Sequence, residues 1–390
     1  STRVRSSAAS DVYKRQNHIR HFLMTIINLG VKLMSSEFGN KIKLSIFGES
    51  HGEAIGCVID SLPAGVKLDM DKIYFDMARR APGKDKTATP RLEKDIPHIL
   101  SGVLDNVTTG APLAMIIENT NTKSGDYSNL MAVPRPSHSD YPAYVKYKGY
   151  NDIRGGGHFS GRLTAPLVFA GAIAKQILAQ KGVTVGAHIL SINGVYDDSF
   201  DKAEVTSEQL IAVSSKPFGV INDNIEEKMR QAVEKARLDG DSVGGIIECA
   251  VCGMPVGVGA NIFSTVESHI SSSLFGVPAV KGVEFGAGFD LANMTGYEAN
   301  DTYSIKNGKI FVNKNNNGGI LGGMTTGAPI IVKAAIKPTP SISKPQKSVN
   351  LQTMTEEELV IHGRHDPCIV PRALPVIESA VAFALLDLMA

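Results

Sequence analysis

The chain has 390 residues, 43% of them hydrophobic and 20% charged, and its 40 Lys and Arg against 39 Asp and Glu leave a formal net charge of +1. These values describe a soluble, globular chain with enough apolar mass for a sizeable core. They exclude the global positive field that gathers nucleic acid or an anionic membrane, so any anion site must be a local concentration of cations.

The chain opens with STRVRSSAASDVYKRQNHIRH, which is basic, polar and without apolar periodicity. FLMTIINLGVKLM follows and is too short for a bilayer span, broken as it is by Asn28, Gly30 and Lys32. The pattern imitates a signal or transit peptide, but no small-residue cleavage site follows. Residues 1–33 are expected to be a non-native or disordered extension, with a single domain over 34–390.

KIKLSIF (41–47) and AIGCVID (54–60) predict strands around the turn GESHG, and DMDKIYFDMARR (69–80) predicts a helix with an acidic start. HILSGVL and PLAMIIEN read as strands separated by TTGAP. LTAPLVFAGAIAKQILAQKG (163–182) is apolar almost all round and ends in Lys and Gly, which predicts a helix buried on most faces. VTVGAHILSINGV is strand-like, 224–240 reads as an amphipathic helix, and GGIIECAVCGM reads as a strand. VKGVEFGAGF and a polar stretch ending NKNNNGGILGGMTTGAP lead to the strand IIVKAAIK and a last helix, LPVIESAVAFALLDLMA. Strands and helices alternate without a strict βαβ period, and no repeat of 20 to 50 residues is present. The expectation is one mixed α/β (α+β) domain with buried central helices.

Cys57, Cys249, Cys252 and Cys368 are too few and too scattered for a disulfide framework, which fits a reducing cytoplasm. Cys249 and Cys252 have C-x-x-C spacing, but on a strand residues three apart point to opposite faces. No metal site is expected.

Site-grade residues gather in loop-like segments: FGESHG (47–52), ARRAPGKDKTATPR (78–91), RPSHSDY (135–141), RGGGHFSGR (154–162), GGILGG (318–323), KPTPS (337–341) and GRHDPCIVPRA (363–373). Singly each has a bland reading. Three consecutive glycines can be a flexible surface loop, His51 can be a structural hydrogen-bonder, and a charge run can be a solvated face. Together they concentrate Arg80, Lys86, Arg91, Arg135, Arg154, Arg162, Lys337 and Arg364 in a chain of nearly zero net charge. One highly anionic ligand, or two, is the economical explanation. No G-x-x-x-x-G-K-[ST], G-x-G-x-x-G turn, H-E-x-x-H or G-x-S-x-G accompanies them, so the familiar nucleotide, zinc-protease and serine-hydrolase readings lack support.

The ordered set FGESHG, RRAPGK, RPSHSDYPAYVKYKGYNDIRGGGHFSGR, DSVGG (241–245), AVKGVEFGAGF, NNNGGILGG, KPTPSI and GRHDPCIVPRA closely resembles chorismate synthase from about Met34 onward. The resemblance implies a β-α-β sandwich assembled as a homotetramer. It also implies a 1,4-anti elimination of phosphate from 5-enolpyruvylshikimate 3-phosphate that needs reduced FMN (FMNH2) without net oxidation. The phosphates and carboxylates of substrate and flavin account for the crowding of cations.

By the same resemblance, Arg80, Arg135, Arg162 and Arg364 would hold the substrate. His51 and His138 would supply protons, one to the reduced flavin and one to the departing phosphate, which suits a group that gives up its proton near neutral pH. Asp366 would help the flavin N5 accept the substrate proton, or else partner Arg364. FMN contacts would come from His158, Phe159, Ser160, Ala279, Gly322, Lys337, Pro338, Thr339, Pro340, Ser341 and Arg364. Arg80 and Lys86 match positions of nicotinamide-nucleotide or phosphate contact, with NADPH as an external reductant delivered through a separate flavin reductase. The family more often has Arg where Lys86 stands, and many members have Arg-Ser-Ser where this chain has His158, Phe159 and Ser160. Phe159 could pack on a ring. Two other functions stay in view: an FMN-dependent oxidoreductase using NAD(P)H, and a non-catalytic flavin- or anion-binding protein.

Overall fold

Glycine at position 171 explains how the centre of the molecule is built. A Cβ there would lie 2.1 Å from the Cβ of Ser379, so only glycine lets the two central helices approach so closely. These are α3 (Thr164–Gln180) and α6 (Val370–Met389). Leu163 gives α3 no side-chain cap. Its stability comes instead from burial of Phe169, Ile173 and Leu178, each at 0% exposure and worth about 1.5–3 kcal/mol for a fully buried large apolar side chain.

The structure is a computed structural model and describes residues 36–82, 95–120, 132–361 and 365–390. The expected extension over 1–33, Met34, Lys86, Arg91 and Arg364 lie outside the described residues.

One antiparallel sheet carries β1 (Lys43–Gly48), β2 (Ala54–Asp60), β3 (His98–Ser101) and β4 (Leu113–Glu118), in the spatial order β1-β2-β4-β3. Ile46 pairs with Cys57 and Cys57 with Met115 across it. The other sheet holds β5 (Thr184–Ile192), β6 (Val195–Tyr196), β7 (Gly245–Cys252), β8 (Val280–Phe285) and β9 (Ile330–Ile336), ordered β8-β9-β7-β5-β6 and antiparallel throughout. Helix α3 packs on β2, helix α6 packs on β5 and β7, and the two helices pack on each other. The layers are therefore sheet, helices, sheet: a β-α-β sandwich of α+β class, as expected.

Helix α1 (Met70–Arg80) starts where the Asp69 carboxylate accepts from the backbone N–H groups of Asp71 and Lys72. It packs on α3 and α6. Its last two residues part company. Arg79 turns into the core, where it grips the fully buried Glu378 of α6 at 2.6 and 2.7 Å. Lys175 of α3 and the Ala187 N–H of β5 also donate to Glu378, at 3.0 and 3.2 Å. Arg80 turns toward the loops described below.

Shorter helices include α2 (Asp140–Lys146), the amphipathic α4 (Asp223–Leu238) and α5 (Val266–Gly276), the last packed on α6. An exposed ribbon pairs β10 (Gln346–Asn350) with β11 (Thr355–Leu359). The apolar helix over 163–182 spans 164–180, and the segment Gly161–Gln180 is long and apolar enough to cross a membrane, but 72% of that apolar window is buried inside the protein. All four cysteines are buried and free. Cys249 and Cys252 belong to separate apolar clusters on the two faces of β7. Burial pushes the Cys252 thiol up to about 11.

Candidate active site

The triple glycine lies in the segment that leads into α3. Gly155, Gly156 and Gly157 have φ of +61°, +91° and +54°, a left-handed path that side chains rarely follow. Space is equally restrictive. A Cβ on Gly155 would lie 2.5 Å from His51 Cδ2, one on Gly156 would lie 3.3 Å from His138 Nε2, and one on Gly157 would lie 2.0 Å from the Asp152 carbonyl oxygen. The segment is thus an ordered floor on which both expected proton donors rest, and not a flexible surface loop.

The floor is tied to the β1–β2 turn. The Ser50 N–H donates to Gly157 O at 3.1 Å and its hydroxyl to Arg154 O at 3.0 Å. His158 Nδ1 lies 2.8 Å from Gly48 O. Ser160 accepts from the Arg162 N–H at 3.3 Å. Phe159 packs at 6.0 Å between ring centroids on Tyr147, just beyond α2. Arg154 is half exposed and paired with Asp152, at 2.9 and 2.8 Å.

On one side of the floor, Arg80 and Arg162 share a single carboxylate. Asp95 has a fully buried side chain, with Oδ2 at 2.6 Å from Arg80 Nη1 and Oδ1 at 2.5 Å from Arg162 Nη1. Burial alone would raise its pKa, but the two guanidinium groups outweigh that and hold the carboxyl below the ordinary range. Arg80 also donates to Thr164 Oγ1 at 3.2 Å and Gly161 O at 2.9 Å. Arg162 donates through Nε to Asn119 Oδ1 at 2.7 Å. The Asn119 amide in turn donates to Glu49 O and Gly52 O at 3.0 and 2.9 Å, which binds the His51 turn to the same cluster. Behind Arg80, Arg372 of α6 donates to its carbonyl oxygen at 3.1 Å and pairs with Asp366.

On the other side stand Arg135 and His138, around Asp140 at the start of α2. Arg135 donates to both Asp140 oxygens at 2.7 and 2.8 Å and to Ser341 Oγ at 3.3 Å. His138 Nδ1 lies 2.5 Å from Asp140 Oδ1. Burial alone would raise the Asp140 pKa, but hydrogen bonds from Arg135 and His138 drive its carboxyl far below the ordinary range.

The segment after β9 closes this side. Lys337 Nζ donates to Ser137 O, and its backbone N–H donates to Ala279 O at 2.9 Å. Burial and the neighbouring Lys281 lower the Lys337 ammonium pKa. Ser242 donates to Thr339 O at 2.7 Å, while Thr339 Oγ1 is buried without a hydrogen-bond partner. Pro338 and Pro340 hold the rest of this segment, with Pro338 N 3.0 Å from where a Cβ on Gly244 would lie.

Most of the expected residues therefore meet: His51, Arg80, Arg135, His138, His158, Phe159, Ser160, Arg162, Ala279, Lys337 to Ser341 and Asp366. Gly322 lies in a hairpin turn whose next residue, Gly323, packs on Ala260 and Thr265. Lys86 and Arg364 fall outside the described residues. Asp95, Asn119, Asp140 and Arg372 are partners of the expected site residues that sequence reasoning passed over. Asp140 and Arg372 carried a local signal, lying inside RPSHSDY and GRHDPCIVPRA. Among the described residues no three His, Cys, Asp or Glu side chains are placed to hold a metal ion.

Comparison with known proteins gives these loops a family. The chorismate synthase family model matches residues 42–390. The chorismate synthase of Thermococcus kodakarensis is 47% identical over 349 residues, covering 90% of this chain and 96% of that protein. That of Lancefieldella parvula is 43% identical over 366 residues, covering 91% and 96%. A crystal structure of chorismate synthase superposes with a TM-score of 0.70 at 26% identity, over 90% of this chain and 91% of that one. With the family model matched over residues 42–390 and these relatives matched over nearly their full length, the chain belongs to the chorismate synthase family.

Proposed function

We propose that the family's carbon–oxygen lyase reaction, loss of phosphate from 5-enolpyruvylshikimate 3-phosphate to give chorismate, takes place above the Gly155–Gly157 floor. The observation that carries this placement is that His51 and His138 rest on adjacent glycines of one loop, with an arginine cluster on each side. Arg135 and Arg162 receive the anionic groups of the substrate. Arg80 braces Arg162 through Asp95 and Thr164. Arg364 joins them by resemblance alone. His51 and His138 each hold a proton for transfer, and the departing phosphate takes one of them. The oxidoreductase alternative is not favoured, because family and relatives alike are lyases.

The residues present fit FMN. Thr339 offers a buried hydroxyl with no protein partner, Lys337 offers a partly desolvated cation, and Phe159 and His158 present rings beside the floor. Ser160, Ala279, Pro338, Pro340 and Ser341 shape the same wall. Reduced FMN, when bound, supplies electron density to the reacting ring of the substrate. Asp366, paired with Arg372, would help the flavin N5 accept the substrate proton. NADPH serves only as an external reductant acting through a separate reductase. Homotetramer assembly accords with exposed apolar side chains such as Phe263 and Tyr297, at 91% and 90% exposure. Four buried free thiols accord with a cytoplasmic location.

His51→Ala and His138→Ala test the placement. Each is expected to slow turnover by about 10²-fold or more at saturating reduced flavin while the fold persists. A wild-type rate in either variant removes that residue from the reaction.

A further inference from the structure

Asp140 lies under both an anion-binding arginine and a histidine, and its geometry says more about the histidine than about the arginine. Its carboxylate accepts from Arg135 Nε, Arg135 Nη2 and the Arg135 backbone N–H, at 2.7, 2.8 and 3.0 Å. Those three donors leave it unable to rotate. His138 Nδ1 is 2.5 Å from Oδ1 and 3.1 Å from Arg135 Nη2. An ionised carboxylate only accepts and a guanidinium only donates, so the ring nitrogen between them has two options. A bare Nδ1 would place its lone pair against the carboxylate oxygen at the shorter of the two distances. A protonated Nδ1 makes a short, charge-assisted hydrogen bond there.

We propose that Asp140 is a positioning residue that keeps the hydrogen on His138 Nδ1 and so makes Nε2 the atom that exchanges a proton with the reacting groups. The proposal rests on His138 being a proton donor. Nε2 is the nitrogen that faces Gly156, on the side of the floor where substrate is placed. When the ring gives up the Nε2 hydrogen to its acceptor, the neutral imidazole retains Nδ1–H and its bond to Asp140. No proton moves to Asp140 and no rotation of the ring is needed. The groups facing His138 are Arg135 and Asp140 of its own segment, the Ser139 hydroxyl at 3.5 Å, and, across from it, Lys337 on the Ser137 carbonyl and Ser341 on Arg135. Asp140 is the only acid among these described neighbours.

A kinetic cycle separates this role from mere support of Arg135. Asp140→Asn is expected to lower kcat about tenfold or more in the wild-type background, as loss of the correct tautomer does. In a His138→Ala background the same substitution is expected to leave kcat unchanged and to raise KM by the same factor as before, because only the Arg135 contact remains to be lost. An equal fall of kcat in both backgrounds overturns the proposal in favour of a structural role. A slow His138→Ala enzyme beside an Asp140→Asn enzyme of normal kcat also overturns it while leaving His138 as donor. A normal His138→Ala rate removes the donor and the proposal together.

If Asp140→Asn does not fold, nitrogen-15 solid-state spectra of histidine-labelled wild-type protein at alkaline pH decide the matter, with His138→Gln used for assignment. Hydrogen on Nδ1 supports the proposal, and hydrogen on Nε2 contradicts it.

Discussion

Asp95 Oδ1 and Arg162 Nη1 lie 2.5 Å apart, and the other oxygen of the same carboxylate serves Arg80 at 2.6 Å. One buried acid therefore sets the spacing of two guanidinium groups that would otherwise repel. Removing a single partner of such a set leaves an uncompensated buried charge. Asp95→Ala is expected to lose about 3–5 kcal/mol of stability in chemical denaturation and to raise the KM for substrate. Unchanged stability would show that water replaces the carboxylate at no cost.

His188 on β5 is fully buried between Asp197 at 3.1 Å and Glu248 at 3.0 Å. Burial alone would lower its pKa, but hydrogen bonds and charge from the two acids outweigh that and raise it above the ordinary value of 6.5. A histidine with a raised folded-state pKa contributes stability that is fully present below its unfolded pKa. That contribution is lost as pH rises through the folded value. Denaturation midpoints of the wild-type protein should therefore fall from pH 6 upward more steeply than those of His188→Gln. Parallel slopes would mean that His188 does not bind the extra proton.

Gly155 and Gly156 hold up the two histidines, so an added methyl group should act on turnover. Gly155→Ala would have to push His51 aside and hold a strained backbone. It is expected to reduce kcat about 10²-fold, the scale of a misplacement near 1 Å. Gly296→Ala, where a Cβ meets open space, is the matched control and should be neutral. Equal activity of the two variants would contradict the account of the floor.

The sequence shows no dinucleotide fingerprint beside the segment proposed to face the flavin. Purified protein given oxidised FMN, NADPH and substrate, without a reductase, is expected to form negligible chorismate. Rapid formation under those conditions would reveal an intrinsic flavin reductase.

The elements with strong periodicity were legible in the sequence. AIGCVID forms a strand over Ala54–Asp60, and the helix read over 69–80 spans Met70–Arg80 with Asp69 as its cap. The last helix begins at Val370, ahead of the expected Leu374, because Pro371 sits in the first turn, where no N–H is needed. The glycine and arginine loops were legible as a site because each motif repeats the same residue types. Their acidic partners were not. Asp95 meets Arg162 across 67 positions, so this pairing exists only once the layers have packed.

The most direct measurement is an anaerobic assay with chemically reduced FMN and 5-enolpyruvylshikimate 3-phosphate, following chorismate, phosphate and the flavin spectrum together. The account predicts chorismate and phosphate in equal amounts over many turnovers, with the flavin still reduced at the end. Flavin oxidised in step with product, or no chorismate from folded protein, would contradict it.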